Sequence, residues 1–339
     1  MLLTILGIET SCDETASAVY QEGTGVLSSE LFSQIDLHKQ FGGVVPEIAS
    51  RSHLEKIGII VQKALDEANC TLDDIDVIAV TNRPGLPGSL LVGLCFAKAI
   101  AWAKNKKIIG INHLEAHIFS PFLEHDLSFP YLCLTASGGH TSLYLVKGFG
   151  EYSVVAQTLD DAAGEAFDKI AKLVNLPYPG GPVIEKLARE VEFEDFFGYP
   201  RGASKIKDFS FSGLKTAVLY DLVKRDAYDL KKKLFLKPDD EMFKRQVASS
   251  LLVAVGDIFE QKITKALKNH PEVKAVAFVG GVACNKYLKQ KLSQLCDKRK
   301  ISFFSPSPRF CTDNAAMVAF VGFYKAKMHE FSDLYLDIF

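Results

Sequence analysis

The chain has 339 residues, 48% of them hydrophobic and 24% charged, with a formal net charge of −2 at pH 7. This length allows two domains with separate cores, and the near-zero charge is not typical of a protein that holds nucleic acid by electrostatics alone. No apolar run reaches the length of a membrane span, and the N-terminal apolar stretch lacks a basic n-region, so the sequence predicts a cytoplasmic protein without a membrane segment.

The N-terminal third alternates strand-length apolar runs with helical patterns. Residues 2–10 and 16–20 predict two strands around a polar turn, and a long helix is expected to begin near Pro46. Strands at 75–81 and 107–112 flank a helical stretch, LLVGLCFAKAIAWAK, which is apolar almost all round and is therefore expected to be buried.

At residue 130 the pattern restarts. The stretch PYLCLTASGGHTSLYLV repeats the strand–turn–strand arrangement of the N-terminus, which indicates an internal duplication of one hairpin-led α/β unit. Helical segments, a surface-like insertion at 190–240 and a long amphipathic helix follow. A buried strand at 273–281, a helix and a further strand precede a terminal helix, which is expected to begin at Thr312 or Asp313.

The stretch INHLEAH at 111–117 predicts half of a metal site. His113 and His117 are four residues apart, so a helix would place both imidazoles on one face. Glu115 projects roughly 200° away from His113 and cannot serve as the general base of an H-E-x-x-H metallopeptidase. Asp313 is the candidate third ligand, and such a set suits iron, zinc or manganese. The alternatives are partly exposed helix histidines and an N-cap or first-turn role for Asp313.

Three Gly-Gly turns favour a nucleotide site. They lie in ASGGHT at 136–141, YPGGP at 178–182 and VGGVACN at 279–285, near the ends of predicted strands or helices. Successive backbone N–H groups at such turns can bind anions, and glycine lets a ligand approach closely. The alternative for each is an ordinary turn. No P-loop sequence occurs, and no G-x-G-x-x-G follows the first strand, which argues against the classical dinucleotide site.

Taken together, the motifs resemble the bacterial TsaD family of tRNA threonylcarbamoyladenosine transferases, whose archaeal and eukaryotic relatives belong to the KEOPS complex. The motifs that carry the resemblance are GIETSCDET, GGVVPEIASR, PGLPGSL, NHLEAH, SGGHT, DDAAGEAFDK, YPGGP, DFSFSGLKT, GGVACN and CTDNAAM. The resemblance implies an α/β fold of the actin-like (sugar kinase, Hsp70, actin) class, with two RNase H-like lobes and a ligand cleft between them. The expected N-terminal lobe is 1–110, completed by the helix at 312–330. The expected C-terminal lobe is 111–311, with a helical insertion at about 160–240.

The resemblance also implies an activity. An enzyme of this family would transfer the threonylcarbamoyl group from threonylcarbamoyl-AMP to N6 of the adenosine at position 37, 3′ of the anticodon, in tRNAs reading ANN codons, forming t6A. The implied partners are the tRNA, TsaB in a heterodimer, the ATPase TsaE and a TsaC-type enzyme that supplies the adenylate. Local Lys/Arg clusters, with the 200–240 insertion as one candidate region, are expected to contact tRNA phosphates. A metallopeptidase and a non-catalytic nucleotide-binding scaffold are the alternatives.

Family roles carry over to individual positions of this chain. One divalent ion is implied, Fe²⁺ first and Zn²⁺ or Mn²⁺ as alternatives, and the matching ligands are His113, His117 and Asp313. The positions that match the substrate loop are Thr135, Ala136, Ser137, Gly138 and Gly139. Those that match the remaining substrate contacts are Asp168, Gly181, Glu185 and Asn285. For a catalytic base or a water-orienting acid, our candidates are Asp13 and Glu14, with a turn-stabilising Asx motif as the alternative.

Overall fold

The computed structural model of the protein describes residues 2–202 and 207–338. The chain forms two compact units, the first from Met1–Asp126 with Pro306–Phe339 and the second from Leu127–Ser305. Residues 203–206, part of the predicted insertion and of its candidate tRNA region, lie outside the described residues. No helix within the described ranges has both the length and the hydropathy that a bilayer span needs.

The elements follow one another in a mixed α/β order. The strands are β1 (Thr4–Glu9), β2 (Glu14–Gln21), β3 (Gly25–Ser33), β4 (Val77–Arg83), β5 (Lys107–Asn112), β6 (Tyr131–Ala136), β7 (Thr141–Gly148), β8 (Glu151–Gln157), β9 (Tyr228–Asp229), β10 (Leu234–Phe235), β11 (Ala275–Val279) and β12 (Ser302–Phe304). The α-helices are α1 (Ile35–His38), α2 (Pro46–Glu67), α3 (Pro87–Lys104), α4 (His113–Phe119), α5 (Ala163–Leu173), α6 (Gly180–Arg189), α7 (Ser212–Lys224), α8 (Glu241–Asn269), α9 (Lys286–Arg299), α10 (Pro308–Cys311) and α11 (Ala315–Lys327).

The two units contain sheets of the same topology. The first sheet has the order β3-β2-β1-β4-β5, and the second has the order β12-β11-β6-β7-β8. In each, three antiparallel strands are followed by a strand that pairs parallel with the first of them, and then by one more parallel strand. This shared topology confirms the duplicated hairpin-led α/β unit.

Helices cover both faces of the sheet in the first unit. Because successive side chains of a strand point to opposite faces, Leu6 and Ile8 face α2 and α3, while Gly7 faces α11. A Cβ built on Gly7 would lie 2.8 Å from the backbone nitrogen of Ala319, so α11 approaches the sheet where no side chain intervenes. The close approach of α11 fixes the position of the residues just before it.

Two predictions about helices are wrong. α3 is not buried all round, because Trp102 is 77% exposed and Leu91 is 43% exposed. The helix therefore has one buried face and one exposed face, and both faces carry apolar side chains. α11 begins at Ala315 rather than at Thr312 or Asp313, because the Asn314 side chain accepts a hydrogen bond from the Met317 N–H at 2.9 Å and caps the helix.

The sequence patterns also missed several elements. The third strand of each antiparallel set, β3 and β8, was not predicted, because both strands are largely open to solvent on at least one face and show no continuous apolar run. The surface-like insertion contains α7 and the β9–β10 hairpin, and two of its phenylalanines, Phe209 and Phe211, are completely buried. The insertion is therefore partly core, held by these two rings.

Candidate active site

The two metal-ligand candidates lie at the start of α4, directly after β5. The Asn112 side chain accepts hydrogen bonds from the N–H groups of Leu114 (2.8 Å) and Glu115 (3.2 Å), which starts the helix at this point. The helical spacing then brings His113 and His117 together, with ring centroids 4.6 Å apart. Both side chains are buried, so the alternative of partly exposed helix histidines is wrong.

Asp313 faces these two histidines. Its Oδ1 lies 3.0 Å from Nε2 of His117 and 3.5 Å from Nε2 of His113. Since Asn314 supplies the cap of α11, the N-cap alternative for Asp313 is also wrong. The Asp313 carboxylate is directed at the imidazoles instead.

The three residues fit a divalent metal ion. One ligand atom from each of His113, His117 and Asp313 lies within 4.8 Å of the others, and all three residues belong to the first unit. Two imidazoles and one carboxylate form a donor set that iron, zinc and manganese accept. Burial raises the pKa of Glu14 well above its usual range, and the nearby charges of Asp313 and Asp13 raise it further. A cation at this point would relieve that repulsion.

A buried carboxylate lies behind His113. Glu9, at the end of β1, is fully buried, and its Oε2 is 3.0 Å from Nδ1 of His113. Burial alone would raise the pKa of Glu9, but the charge and the hydrogen bond of His113 lower it. Burial would likewise lower the pKa of His113, whereas the charges of Glu9 and Asp313 raise it to about 9. Without a metal ion the two groups therefore form an ion pair at neutral pH.

Glu115 is turned away from the metal-ligand candidates. Its carboxylate lies 3.3 Å from Nζ of Lys325 on α11, and both groups are largely buried. Burial raises the pKa of Glu115, and the charge of Lys325 opposes this effect. The contact joins α4 to α11 and leaves Glu115 without a role as a general base beside the histidines.

The turn between β1 and β2 is fixed by close backbone packing. The carbonyl oxygen of Ser11 accepts a hydrogen bond from Leu86 N–H at 2.8 Å, and a Cβ on Gly85 would lie 2.6 Å from the same oxygen. On α3, a Cβ on Gly93 would lie 2.3 Å from Oγ1 of Thr10. The PGLPGSL motif therefore forms the surface on which the SCDET turn rests.

This turn carries the two proposed catalytic acids. Asp13 is buried, and its carbonyl oxygen accepts from Gln34 N–H at 3.0 Å. Glu14 begins β2, and its Oε1 accepts a hydrogen bond from Ser33 Oγ at 3.2 Å. The charge of Asp313, one of the metal-ligand candidates, contributes to the raised pKa of Glu14, and both acids belong to the first unit with those candidates.

In the second unit, the predicted substrate loop lies between β6 and β7. Ser137 Oγ accepts hydrogen bonds from Gly139 N–H (3.3 Å) and His140 N–H (3.1 Å), and its carbonyl oxygen accepts from Gly164 N–H (3.1 Å). A Cβ built on Gly138 or Gly139 would meet nothing within 4 Å, so the tip of the loop is open to a ligand. Thr135 is engaged within the hairpin, where its hydroxyl donates to the Ser142 carbonyl at 3.2 Å.

The structure brings a second glycine turn to this loop. Gly280, after β11, has a φ of 92°, and a Cβ there would lie 2.4 Å from the carbonyl oxygen of Ala136. Asn285 caps α9 by accepting from Leu288 N–H at 3.0 Å. Glu185 accepts from Lys286 N–H at 3.0 Å and so joins α6 to the start of α9.

The third glycine turn is held by Asp168. Its Oδ1 accepts from Gly180 N–H at 2.7 Å, and burial raises the pKa of its carboxyl. Gly181 is the second residue of α6 and is half-buried. Asp168, Glu185 and Asn285 thus each accept a hydrogen bond at the start of a helix, a use of these side chains that the motif patterns did not reveal.

Sequence reasoning also missed Glu9 and His53. Glu9 was visible as a carboxylate at the end of a strand that is otherwise apolar, which is a signal of a paired buried charge. His53 lies on a helix whose pattern explains it equally well as an ordinary surface residue, yet it is completely buried. Its hydrogen bonds reach Cys12 and Thr15, about forty residues earlier in the chain, and no local pattern reports contacts of that range.

Solved structures of distant proteins share this fold. Full-length HypF in its phosphate- and nucleotide-bound form superposes with a TM-score of 0.63 at 14% identity, covering 97% of this chain and 56% of that one. Component A of (R)-2-hydroxyglutaryl-CoA dehydratase from Acidaminococcus fermentans gives 0.56 at 13% identity, covering 96% and 99%. At these identities the likeness defines the fold class alone, and that class is the actin-like α/β fold.

Sequence comparison defines the family. A model of the family described as tRNA N6-adenosine threonylcarbamoyltransferase, TsaD, matches residues 25–320. The enzyme of that name from Brachyspira hyodysenteriae is 45% identical over 99% of this chain and 95% of its own length. Its namesake from Thermodesulfovibrio yellowstonii is 48% identical over 98% and 97%. The chain belongs to the TsaD family of tRNA N6-adenosine threonylcarbamoyltransferases.

Proposed function

We propose that this protein transfers the threonylcarbamoyl group from threonylcarbamoyl-AMP to N6 of adenosine 37 in tRNAs reading ANN codons, forming t6A. The observation that carries the proposal is the convergence of His113, His117 and Asp313 in a chain whose relatives bear this enzyme's name. The engagement of Glu115 with Lys325 disfavours the metallopeptidase alternative.

The chemistry sets two demands on the protein. The acyl donor is a mixed carboxylic–phosphoric anhydride, so AMP is already a good leaving group. The acceptor is a weak nucleophile, because the lone pair of its nitrogen is delocalised into the purine. The protein must therefore position the amine and stabilise the charge that develops on the carbonyl and phosphate oxygens.

We assign metal binding to the first unit, with His113, His117 and Asp313 as the ligands. Fe²⁺ is the proposed ion, with Zn²⁺ or Mn²⁺ as alternatives, because two histidines and one carboxylate are the usual ligands of non-haem iron. When bound, such an ion supplies Lewis-acid stabilisation of negatively charged oxygens. We propose that each of the two compact units is one RNase H-like lobe.

Asp13 and Glu14 are the proposed candidates for a catalytic base or a water-orienting acid. Burial and the charges of Asp313 and Asp13 raise the pKa of Glu14, and a cation held by the three ligand candidates would oppose the effect of those charges. Asp13 is the group proposed to accept the proton that leaves N6 as the new bond forms. The backbone hydrogen bond from Gln34 to the Asp13 carbonyl holds this turn in place.

We assign nucleotide binding to the second unit. The proposed contacts are Thr135, Ala136, Ser137, Gly138, Gly139, Asp168, Gly181, Glu185 and Asn285. Two features support this assignment: the open tip of the loop at Gly138 and Gly139, and the packing of Gly280 against Ala136, which leaves backbone rather than side chains at this end of the sheet.

The proposed partners follow from the reaction. The tRNA is the acceptor, and a TsaC-type enzyme supplies the adenylate. TsaB as a heterodimer partner and the ATPase TsaE complete the proposed system. The near-neutral net charge of this chain supports a shared tRNA-binding surface, since phosphate contacts need clustered lysine and arginine side chains.

The test is reconstitution. Purified protein, its partners, tRNA and threonylcarbamoyl-AMP are combined, and t6A is measured by mass spectrometry of nucleosides beside the metal content of the protein. His113→Ala, His117→Ala and Asp313→Ala should each lose bound metal and t6A formation together, with near-native circular dichroism. His329→Ala, which removes an exposed histidine of the same unit, is the matched control and should keep both.

Two outcomes would contradict the proposal in different ways. Full t6A formation by a metal-free His113→Ala/His117→Ala double variant would remove the metal from the mechanism. No t6A from the unaltered protein in the complete system, with metal bound and tRNA present, would remove the proposed reaction itself.

A further inference from the structure

We propose that Glu9 is a positioning residue that holds the His113 imidazole in the orientation and tautomer needed to bind a metal ion. The inference rests on the proposed metal function of His113, His117 and Asp313. It concerns a residue outside that ligand set, at the end of β1 and more than a hundred positions earlier in the chain than His113.

The contacts of Glu9 account for both of its oxygens. Oε1 accepts from Ser11 N–H at 2.5 Å, and Oε2 accepts from the Thr81 hydroxyl at 2.6 Å. Nδ1 of His113 lies 3.0 Å from the same Oε2. Because an ionised carboxylate only accepts hydrogen bonds, Nδ1 must carry the proton in this contact.

The consequence falls on the other ring nitrogen. With the proton on Nδ1, a neutral His113 has its lone pair on Nε2, and Nε2 is the atom that faces Oδ1 of Asp313 at 3.5 Å. The Ser11 hydroxyl, 3.1 Å from Nδ1, can donate or accept and so does not decide the tautomer. Glu9 decides the tautomer, because of the two groups that contact Nδ1 only its ionised carboxylate is limited to accepting.

Glu9 is itself held rigidly. It is fully buried at the junction of β1, β2 and β4, and Thr81 and Ser11, which donate to it, are also buried. Its carboxylate therefore cannot follow a ring that rotates, and the ring must take the orientation that the carboxylate offers. Carboxylates behind metal-binding histidines commonly act in this way.

His117 shows the contrast. Its Nδ1 is buried and makes no hydrogen bond to any residue in the described part of the chain. The two histidines therefore differ: one is oriented from behind by a carboxylate, and the other is oriented by its helix and its packing. Loss of the group behind His113 should consequently reduce metal affinity more than its distance from the ligand set suggests.

The test uses the full chain and Zn²⁺ alone. Zn²⁺ affinity is measured by competition with a chromophoric chelator, and the Co²⁺ ligand-field spectrum of the substituted protein reports the ligand geometry. Glu9→Gln should bind Zn²⁺ about 10- to 100-fold more weakly, the usual cost of losing such a partner, and should alter the Co²⁺ spectrum. A glutamine side chain has only one accepting oxygen, so it cannot accept from Ser11 N–H with one terminal atom and from His113 Nδ1 with the other. Glu9→Asp keeps the charge on a shorter side chain, so its Zn²⁺ affinity should lie between that of the unaltered protein and that of Glu9→Gln.

The matched control is Glu115→Gln. It also neutralises a buried carboxylate of the first unit, one that pairs with Lys325 rather than with a metal-ligand candidate. Its melting temperature should fall, while its Zn²⁺ affinity and Co²⁺ spectrum should stay native. If Glu9→Gln and Glu115→Gln change the melting temperature but neither changes Zn²⁺ affinity, Glu9 is only structural and the inference is wrong. If the unaltered protein binds no Zn²⁺, Co²⁺ or Fe²⁺, the proposed metal function itself has failed.

A second measurement covers a variant that does not fold. In the unaltered, Zn²⁺-loaded protein labelled with ¹⁵N-histidine, long-range ¹H–¹⁵N correlation spectra identify which ring nitrogen carries the proton. His113, assigned by its loss in His113→Gln, should carry it on Nδ1. A spectrum in which Nδ1 of His113 is the metal-bound or unprotonated nitrogen would overturn the inference without any change to Glu9.

Discussion

His53 is hydrogen-bonded through both ring nitrogens to the turn that carries Asp13, with the Thr15 hydroxyl 2.8 Å from its Nδ1. Its Nε2 lies 2.9 Å from the carbonyl oxygen of Cys12. A carbonyl only accepts, so the proton is on Nε2 and Nδ1 accepts from Thr15. The ring therefore links α2 to the turn between β1 and β2 and to the start of β2.

The pH dependence of stability should report this arrangement. Burial lowers the pKa of His53 below the ordinary value of 6.5. As the pH falls below 6.5, the unfolded chain therefore binds more protons than the folded chain. The contribution of neutral His53 to the free energy of unfolding is complete above pH 6.5 and is lost as the pH falls through the lower pKa of the folded state. When the pH falls from about 7.5 to about 5.5, the melting temperature should decrease less in His53→Gln than in the unaltered protein.

Calorimetry at the two pH values checks this expectation. The control is His329→Gln, because His329 is exposed and its substitution should leave the pH dependence native. Equal losses of melting temperature in His53→Gln and in the unaltered protein would show that His53 is not held neutral.

His113 should show the opposite sign. In the metal-free protein its pKa is raised to about 9, so its contribution to stability is present below pH 6.5 and is lost as the pH rises through about 9. Below that pH a metal ion must displace a proton from the ring. Zn²⁺ affinity should therefore rise by up to about tenfold per pH unit between about pH 7 and about pH 9. Chelator competition at several pH values measures the slope, and an affinity independent of pH contradicts the proposed ligand.

Much of the fold was readable from the sequence because the buried strands are continuous apolar runs. β1, β4, β6 and β11 were each predicted from such a run, and the repeated hairpin pattern revealed the duplication. The edge strands β3 and β8 were missed because solvent-facing strands need no apolar run. The composition of α3 was misleading for the opposite reason, since Trp102 is apolar and exposed.

The candidate site was predictable only in part. The i, i+4 spacing of His113 and His117 is a local signal, and it survives as one helical face. The pairing with Asp313 joins residues almost two hundred positions apart; Asp313 was chosen as an acid at the start of the last helix, and the family resemblance supported that choice. The contacts of Glu9 with Thr81 and His113 also join residues far apart in the chain. The residues next to Glu9 in the sequence do not show which side chain it will contact across the sheet.

Two helix glycines should respond oppositely to the same substitution. Gly93 on α3 is buried against Thr10, and the Cβ of Gly93→Ala would lie 2.3 Å from Oγ1 of that residue. Overpacking should destabilise the first unit by about 1–3 kcal/mol. Gly58 on α2 meets only Phe96, at 3.9 Å, so Gly58→Ala should stabilise the fold by about 0.5–1 kcal/mol through helix propensity. Urea denaturation measures the free energy of unfolding of both variants. Equal changes in Gly93→Ala and Gly58→Ala would show that α3 does not pack closely against Thr10.

Asn285 allows capping to be separated from nucleotide binding. Its Oδ1 caps α9, so Asn285→Ala should destabilise the second unit by about 1 kcal/mol, whereas Asn285→Asp keeps a capping oxygen and should cost much less. If the amide also donates to the nucleotide, as proposed, both variants should weaken adenylate binding in calorimetric titration. Native adenylate affinity in stable Asn285→Asp would limit this residue to the cap.

The C-terminal tail should stabilise the first unit by covering its edge strand. β5 ends the sheet, and the tail pairs with it through Ser332 and Ile108. The Leu336 side chain lies so close to Gly110 that a Cβ there would be 2.8 Å from its Cδ1, and Asn82 donates to the Asp337 carbonyl at 2.8 Å. Leu336→Ala should therefore cost about 0.5–3 kcal/mol and expose an unpaired edge that promotes aggregation.

Tyr335 provides the matched comparison for the tail, because it is the neighbouring residue and is 92% exposed. Tyr335→Ala should leave both the melting temperature and the light scattering of the heated protein native, since it removes no buried contact. Equal behaviour of Leu336→Ala and Tyr335→Ala would mean that the tail does not cover β5 in solution. A lower melting temperature and earlier scattering in Leu336→Ala alone would establish that residues beyond α11 protect the strand that leads directly into His113.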